Sequence, residues 1–343
     1  MNKKIALLWL SLFLIFSLNA QTIRLPRDTV GYCWNHKQMK QLISYLQRIE
    51  QDSPPSVPFI AGISPHDDFL YAARVYYPLF RSIKPKEVVI FGVTHATVRR
   101  EIGDPKDILL LDSFPEWSGI GKPVHPSPLR EQIIALLDTS FYRIDNKAHE
   151  LEHSIEALIP FLQYSNPEIR ITPIMVTAMQ FERMSVIASK LGSVIAAYIK
   201  SRNLVLGRDI FFLISADANH YGQDFQNVPF GEDSAAHTMG INQDRRIAQS
   251  YIEGSITDAK VQEFIGEMKN VIWCGKFSIP FGLLTAEKVV EQTTGKHLHG
   301  RMLRYSDTYT EGVLPIEGTS MGTTAPHSLK HWVGFLSAGF TLE

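Results

Sequence analysis

The sequence predicts an α/β fold: a single-domain sandwich with a largely parallel or mixed central sheet flanked by helices. Three observations lead there. Short apolar runs that read as buried strands alternate with amphipathic segments of helix length. No internal repeat and no Pro/Ser linker divides the chain. Residues competent for metal binding or proton transfer fall just where the apolar runs stop, and open α/β sheets bind ligands beyond the carboxyl ends of their strands.

Taken in order, Lys3 and Lys4 precede an apolar run, Ile5 to Phe16, and Ser17-Leu18-Asn19-Ala20 closes it with a small residue. This reads as a signal peptide over residues 1–20, with residues 21–343 as one mature domain. The run is short for a membrane span, which needs about 20 apolar residues. No cysteine follows the cut, which argues against a lipoprotein. The expectation is an exported protein, periplasmic or secreted, with no membrane span after signal removal.

His36 to Gln51 reads as a helix with Leu42, Ile43, Leu46 and Ile49 on one face. Val57 to Ile63 is a strand that leads into Ser64-Pro65-His66-Asp67-Asp68. Tyr71 to Ile83 is helical and stops before Pro85. Glu87 to Val93 is the second strand and leads into Thr94-His95. An irregular stretch, Arg99 to Pro128, holds a short strand at Ile108 to Leu111. Leu129 to Leu137 reads as a helix, and Glu152 to Tyr164 as a helix with an acidic first turn. Ile169 to Val176 is a strand and Phe181 to Lys200 a long helix.

Asp209 to Ser215 is the third motif strand and leads into Asp217-Ala218-Asn219-His220. Thr238 to Ile252 and Asp258 to Met268 read as helices. Val271-Ile272-Trp273 reads as a strand leading into Cys274-Gly275. Phe281 to Glu291 is helical, and Met302 to Tyr305 and Trp332 to Phe340 are late strands.

The net charge of −1 over 343 residues supplies no field for nucleic acid or anionic lipid. The two cysteines, Cys33 and Cys274, leave two readings open: a disulfide in an oxidising compartment, or Cys274 as a thiolate ligand with Cys33 nearby.

His66, His95 and Cys274 are the candidate metal ligands. Two imidazoles and a thiolate form an incomplete shell that leaves room for water or substrate. His220 is the candidate general acid or base, with Asp217 orienting it or binding substrate. Asp67, Asp68 and His153 are candidate pocket residues. His149-Glu150-Leu151-Glu152-His153 spells the H-E-x-x-H string of zinc proteases, which needs both histidines on one helix. Asp145-Asn146-Lys147 reads as a loop or helix start, so His149 is expected outside the helix or in its first turn. His153 and Glu156 then form the inward face of a helix against the site.

Five segments together resemble the Memo-like family, known in bacteria as AmmeMemoRadiSam system protein B. They are Ser64-Pro65-His66, Phe91-Gly92-Val93-Thr94-His95, Glu152-His153-Ser154-Ile155-Glu156, Ser215-Ala216-Asp217-Ala218-Asn219-His220-Tyr221-Gly222, and Cys274-Gly275 with Ile279-Pro280-Phe281-Gly282. The resemblance implies a fold like class III extradiol dioxygenases. It implies a redox metal, iron or copper, at His66, His95 and Cys274, with the Asp217–His220 loop lining the same pocket; the soft thiolate by itself also admits zinc. It also implies binding of a small molecule or a peptide.

The chain departs from the family pattern at several points. Asp67-Asp68 stand where Ala-Gly is usual, which implies an acidic pocket mouth and an extra oxygen ligand. Thr94 replaces a serine, and Ala96 stands where a second histidine is common. Tyr32-Cys33-Trp34 occupies a region near the family's site, which implies that Cys33 and Trp34 border the pocket and that Cys33 can pair with Cys274.

The expected function is therefore that of a metal-dependent oxidoreductase of dioxygenase type. The alternatives are a non-enzymatic binder of peptides or metal ions, and a metallohydrolase using His149 and His153.

Overall fold

In the computed structural model, residues 23–51 and 57–343 are described. The expected signal peptide lies outside the described residues. Among the described residues, no helix is long and apolar enough to cross a membrane.

The strands are β1 (Ala61–Ser64), β2 (Glu87–Val93), β3 (Leu109–Leu111), β4 (His125–Pro126), β5 (Tyr142–Ile144), β6 (Arg170–Val176), β7 (Ile210–Ser215), β8 (His220–Gly222), β9 (Gly254–Ser255), β10 (Leu298–Asp307) and β11 (His331–Leu342). They form one sheet in the order β5-β3-β6-β2-β7-β1-β11-β10-β9, with β4 on β6 and β8 on β11. The central run β6-β2-β7-β1 is parallel, while β1-β11, β11-β10 and β3-β6 are antiparallel. The sheet is thus mixed, with a parallel centre.

Burial on both faces explains the unbroken apolar runs. In β2, Val89 and Phe91 join one core and Val88 and Ile90 the other. In β7, Ile210, Phe212 and Ile214 point one way, and Phe211 and Leu213 the other. Each fully buried aliphatic or aromatic side chain contributes roughly 1.5–3 kcal/mol. Helices Phe181–Arg202 and Ser278–Thr294 cover the first face. Helices His36–Ile49, Phe69–Phe80 and Ile159–Ser165 cover the second.

Most expected elements occur within a few residues of their predicted ends, but two do not occur. Glu152 to Tyr164 is not one helix. A short helix, Asn146–Leu151, ends before Glu152, a 3-10 turn covers Glu156–Leu158, and a new helix starts at Ile159. Pro160 sits in the first turn of that helix, where its missing N–H costs nothing. Glu152 leaves helical geometry and turns inward, as described below.

Val271-Ile272-Trp273 is not a strand of the sheet. Trp273 makes one bridge to Asn219, and Cys274–Lys276 is a 3-10 turn before helix Ser278–Thr294. Both edges of β7 are already taken by β1 and β2, so the sheet has no opening there.

Gly222 shows how tightly β8 is held. Its φ is +134°, and a Cβ there would lie 2.2 Å from the Lys330 carbonyl oxygen. Gly222→Ala is expected to lower stability by about 2–4 kcal/mol, through backbone strain and this clash. Gly266, in the exposed face of helix Asp258–Glu267, has nothing within 4 Å of its would-be Cβ. Gly266→Ala should instead stabilise by about 0.5–1 kcal/mol. Urea denaturation of the two variants checks both signs.

Candidate metal centre

The parallel order β2-β7-β1 brings three strand ends side by side, and each carries a polar loop. His66 follows β1, His95 follows β2 and Asp217 follows β7. Cys274 arrives from the turn before helix Ser278–Thr294, and His153 from the segment after helix Asn146–Leu151.

Two donor groups result, and His66 belongs to both. The donor atoms of His66, His95 and His153 lie within 4.8 Å of one another, as do those of His66, Asp217 and Cys274. The expected trio of His66, His95 and Cys274 is therefore divided between two groups joined at His66. His153, expected only to lean on the pocket, stands as a donor in its own right, with its ring stacked on His95 at 4.7 Å.

His66 is 1% exposed. Its Nδ1 lies 2.8 Å from Ser215 Oγ, and that hydroxyl donates to Ser154 O at 2.5 Å. The serine oxygen thus accepts from the ring, so Nδ1 carries the proton and Nε2 presents its lone pair. Nε2 lies 3.5 Å from Cys274 Sγ and 3.2 Å from Asp217 Oδ2. Donors around a four-coordinate ion bound at about 2.0–2.3 Å stand roughly 3.3–3.8 Å apart. The three donor types present fit zinc, copper or iron better than magnesium or calcium. The backbone supports the arrangement: Asp217 Oδ1 accepts from His66 N at 2.9 Å, and Cys274 Sγ accepts from Asp217 N at 3.0 Å.

Protonation follows from burial. Loss of water, then the neighbouring His95 and His153, hold His66 well below its usual range. Burial and His95 pull His153 down to about 4. Both rings are neutral at pH 7 and able to ligate. Burial raises Asp217 to about 7, with the His66 N–H bond opposing. Burial and the Asp217 charge raise the Cys274 thiol well above its usual value. A cation placed among these groups would reverse both carboxyl and thiol shifts.

Glu152 is the residue that sequence reasoning misplaced. It is buried, and its Oε1 accepts from His95 Nδ1 at 2.8 Å, His153 N at 2.9 Å and Ser154 N at 3.0 Å, while Oε2 accepts from His95 N at 3.0 Å. Burial alone would raise its carboxyl, but His95 and these donors hold it well below its usual range. In turn burial lowers His95, and the Glu152 charge outweighs it to give a raised value. Bonding at Nδ1 leaves His95 Nε2 free to face the donor group. The adjacent acid and histidine, Glu152-His153, were the available signal, hidden by the expectation of a helix start.

Asp244 does a similar task behind the other loops. Its Oδ1 accepts from Trp273 Nε1 at 2.7 Å, and its Oδ2 accepts from Tyr305 Oη at 2.7 Å and from Asn219 N at 3.3 Å. It thus ties the chain before Cys274 to the chain before His220. Nothing in the sequence pattern singled it out.

His220 lines a cleft of about 380 Å³ beside His95 and Cys274. Its Nδ1 donates to Ala218 O at 3.1 Å, which leaves Nε2 as a lone-pair site. Burial and the His95 charge lower it to about 4, so it is neutral at pH 7.

The remaining expected residues are placed elsewhere. Asp68 is buried and bound by the Thr324 backbone N–H and hydroxyl. Asp67 accepts from Asp68 N, and burial with the Asp217 charge raises its carboxyl well above the usual range. Neither belongs to a donor group or lines the cleft, so the acidic mouth expected from Asp67-Asp68 is absent there. The Cys33 and Cys274 thiols are both free. Cys33 Sγ faces Asn35 O at 3.2 Å, and Trp34 Nε1 donates to Asp28 O at 2.7 Å.

The protease reading fails on geometry. His149 closes the first turn of helix Asn146–Leu151, as expected, but His153 lies beyond the end of that helix and not on the inward face of one. His149 Nε2 donates to Leu110 O at 3.1 Å, and its carbonyl accepts from Arg24. Glu156 is also structural, since it pairs with Arg24.

The Memo-like protein family model matches residues 29–313. The chain belongs to the Memo-like family. A MEMO1 family protein of Pyrococcus abyssi is 29% identical over 236 residues, covering 65% of this chain and 74% of the relative. One of Pyrococcus horikoshii is 30% identical over 234 residues, with 65% and 74% covered. One of Desulfurococcus amylolyticus is 26% identical over 301 residues, with 84% and 86% covered. In this Memo-like protein the matched span holds every donor of both groups.

Glu152→Gln is expected to destabilise the metal-free protein by about 2–4 kcal/mol. A depressed Glu152 stabilises above the ordinary glutamate range and loses that contribution on acidification. A raised His95 stabilises below the ordinary histidine range and loses it as pH rises. The difference between wild type and Glu152→Gln should therefore peak at about pH 5–6. Chemical denaturation across pH checks the peak, and NMR titration should show His95 titrating at lower pH in the variant.

Proposed function

We propose that this protein binds one redox-active transition metal, iron or copper, at His66 and its neighbours, and acts there as an oxidoreductase on a ligand held in the cleft. The observation that carries the reading is the convergence on His66 of a thiol, a carboxyl and two further imidazoles, drawn from four separate parts of the chain. A bound ion would supply electron transfer and Lewis acidity.

The chain's own residues supply the rest. Ser215 fixes the His66 tautomer and Glu152 that of His95. Asp217, poised at about 7, is able to hold or release a proton beside His66 Nε2. His220 offers Nε2 as a base toward an O–H or N–H of a ligand in the cleft. The buried floor beneath the cleft excludes bulk water from His66. Export to the periplasm, where copper is accessible, is part of the same proposal and rests on the amino-terminal Lys3 to Ala20 pattern.

Elemental analysis of protein purified without oxygen tests the reading. About one iron or copper per chain is expected, lost in His66→Ala with folding retained by circular dichroism. Cys274→Ser should lose metal if the sulfur-bearing group holds it and keep metal if His66, His95 and His153 hold it. Full occupancy in His66→Ala would sink the proposal. Oxygen uptake above that of free metal then separates an oxidoreductase from a pure binder.

A further inference from the structure

Arg24 stands 125 residues before His149 in sequence, yet it is 1% exposed and packed against the segment that carries Glu152 and His153. Its guanidinium lies over the Trp117 ring at 4.7 Å and pairs with Glu156. Nε and Nη2 donate to His149 O at 2.9 and 2.7 Å, and Nη2 also donates to Glu152 O at 2.5 Å. Nη1 donates to Leu25 O at 3.0 Å. Burial pulls Arg24 down to about 10, against the charges of Glu152 and Asp112, so it remains a cation at pH 7.

The two carbonyls are the ones that a continuing helix would use. In an α-helix His149 O accepts from His153 N, and Glu152 O from Glu156 N. Helix Asn146–Leu151 instead stops, with Glu152 extended at φ −95° and ψ 140°. His153 N and Ser154 N turn to the Glu152 carboxylate at 2.9 and 3.0 Å, and Arg24 takes both carbonyls. The N–H groups freed by the break are thus bonded by Glu152, and the carbonyls by Arg24. No proline or glycine lies between Asn146 and Ile159. The local sequence therefore allows an unbroken helix, and tertiary bonds impose the break.

We propose that Arg24 is a positioning residue of the centre: by taking the carbonyls of His149 and Glu152 it holds the helix broken, which keeps the Glu152 carboxylate on His95 and the His153 ring stacked beside it. Without those bonds the segment relaxes into helix and withdraws both groups. The surrounding stretch reinforces the hold. Glu156 accepts from Arg27 N at 2.9 Å and Asp28 N at 2.7 Å, and farther along the Tyr32 hydroxyl donates to His66 O. One run of chain thus fastens the His153 side and the His66 side together. That these rings ligate a metal rests on the function proposed above; the cause of the helix break does not.

NMR of the metal-free protein and cobalt(II) titration of the variants Arg24→Gln, Arg24→Lys and Arg130→Gln test it. In Arg24→Gln the Cα shifts of Glu152 and His153 should move toward helical values, and the cross-peaks between the His95 and His153 rings should vanish. Its cobalt affinity should fall about tenfold or more. Arg24→Lys keeps a charge beside Glu156 but lacks the planar fork that spans both carbonyls, so its losses should be smaller. Arg130→Gln removes another buried arginine, one bonded to Asp112 and Phe114 O, and should lower stability while leaving shifts and affinity as in wild type. Wild-type shifts and affinity in Arg24→Gln overturn the proposal, as does an equal loss in Arg130→Gln. Where Arg24→Gln does not fold, Arg24→Lys decides on the same readouts. Wild-type protein that takes no cobalt refutes the metal reading, and the shifts and ring cross-peaks still decide the role of Arg24. Wild-type protein that takes cobalt, with Arg24→Gln unchanged, refutes only that role.

Discussion

A buried carboxylate, Glu152, is the interaction on which the centre depends. It has left helical geometry and its charge is sealed from water, so it must be fully bonded to exist there. It meets that demand by accepting from His95 twice, from His153 and from Ser154. Those bonds fix the His95 ring and the His153 backbone, and the two rings stack face to face. The same segment reaches β7, because Ser154 O accepts from Ser215 and Ser154 Oγ accepts from Val93 N. The break in the helix is therefore what brings Glu152 and His153 to the point where the parallel strands β1 and β2 already deliver His66 and His95.

The other half of the centre is built by the opposite economy. His66, Asp217 and Cys274 have few external partners and chiefly face one another. Their carboxyl and thiol are pushed toward the protonated forms, and the imidazoles toward the neutral form. Groups arranged in this way lose little by meeting a cation and gain much, since each then becomes a charged or dipolar ligand. Asp244 holds the frame around them by linking the strands of chain that precede His220 and Cys274.

Above this acid-bearing floor lies a cleft with the opposite character, apolar and cationic. The vertical separation of charge follows from the fold. Asp217 comes from the loop directly after β7 and Cys274 from the turn before helix Ser278–Thr294, and burial desolvates both. Arg99 lies one helical turn beyond His95, and Lys276 lies two residues beyond Cys274 in the same turn, both nearer the surface.

The sequence by itself determined the strands, the helices around them and the strand ends where chemistry gathers, because apolar runs and amphipathic periods are local signals. His66, His95, Asp217, His220 and Cys274 were legible for the same reason: each closes an apolar run or follows one at short distance. The tertiary structure alone decided the rest. The Glu152 to Tyr164 stretch reads as a helix because its composition favours one, and only the buried bonds of Glu152 show why it breaks. Val271 to Trp273 has strand composition, and only the occupied edges of β7 keep it out of the sheet. Whether His149 or His153 joins the centre, and whether Asp67 and Asp68 reach the cleft, turns on partners more than 30 residues away in sequence: Leu110 and Arg24 for His149, Thr324 for Asp68. Such contacts leave no periodic trace along the chain, because a buried polar group is satisfied by whichever distant donor the packing brings to it.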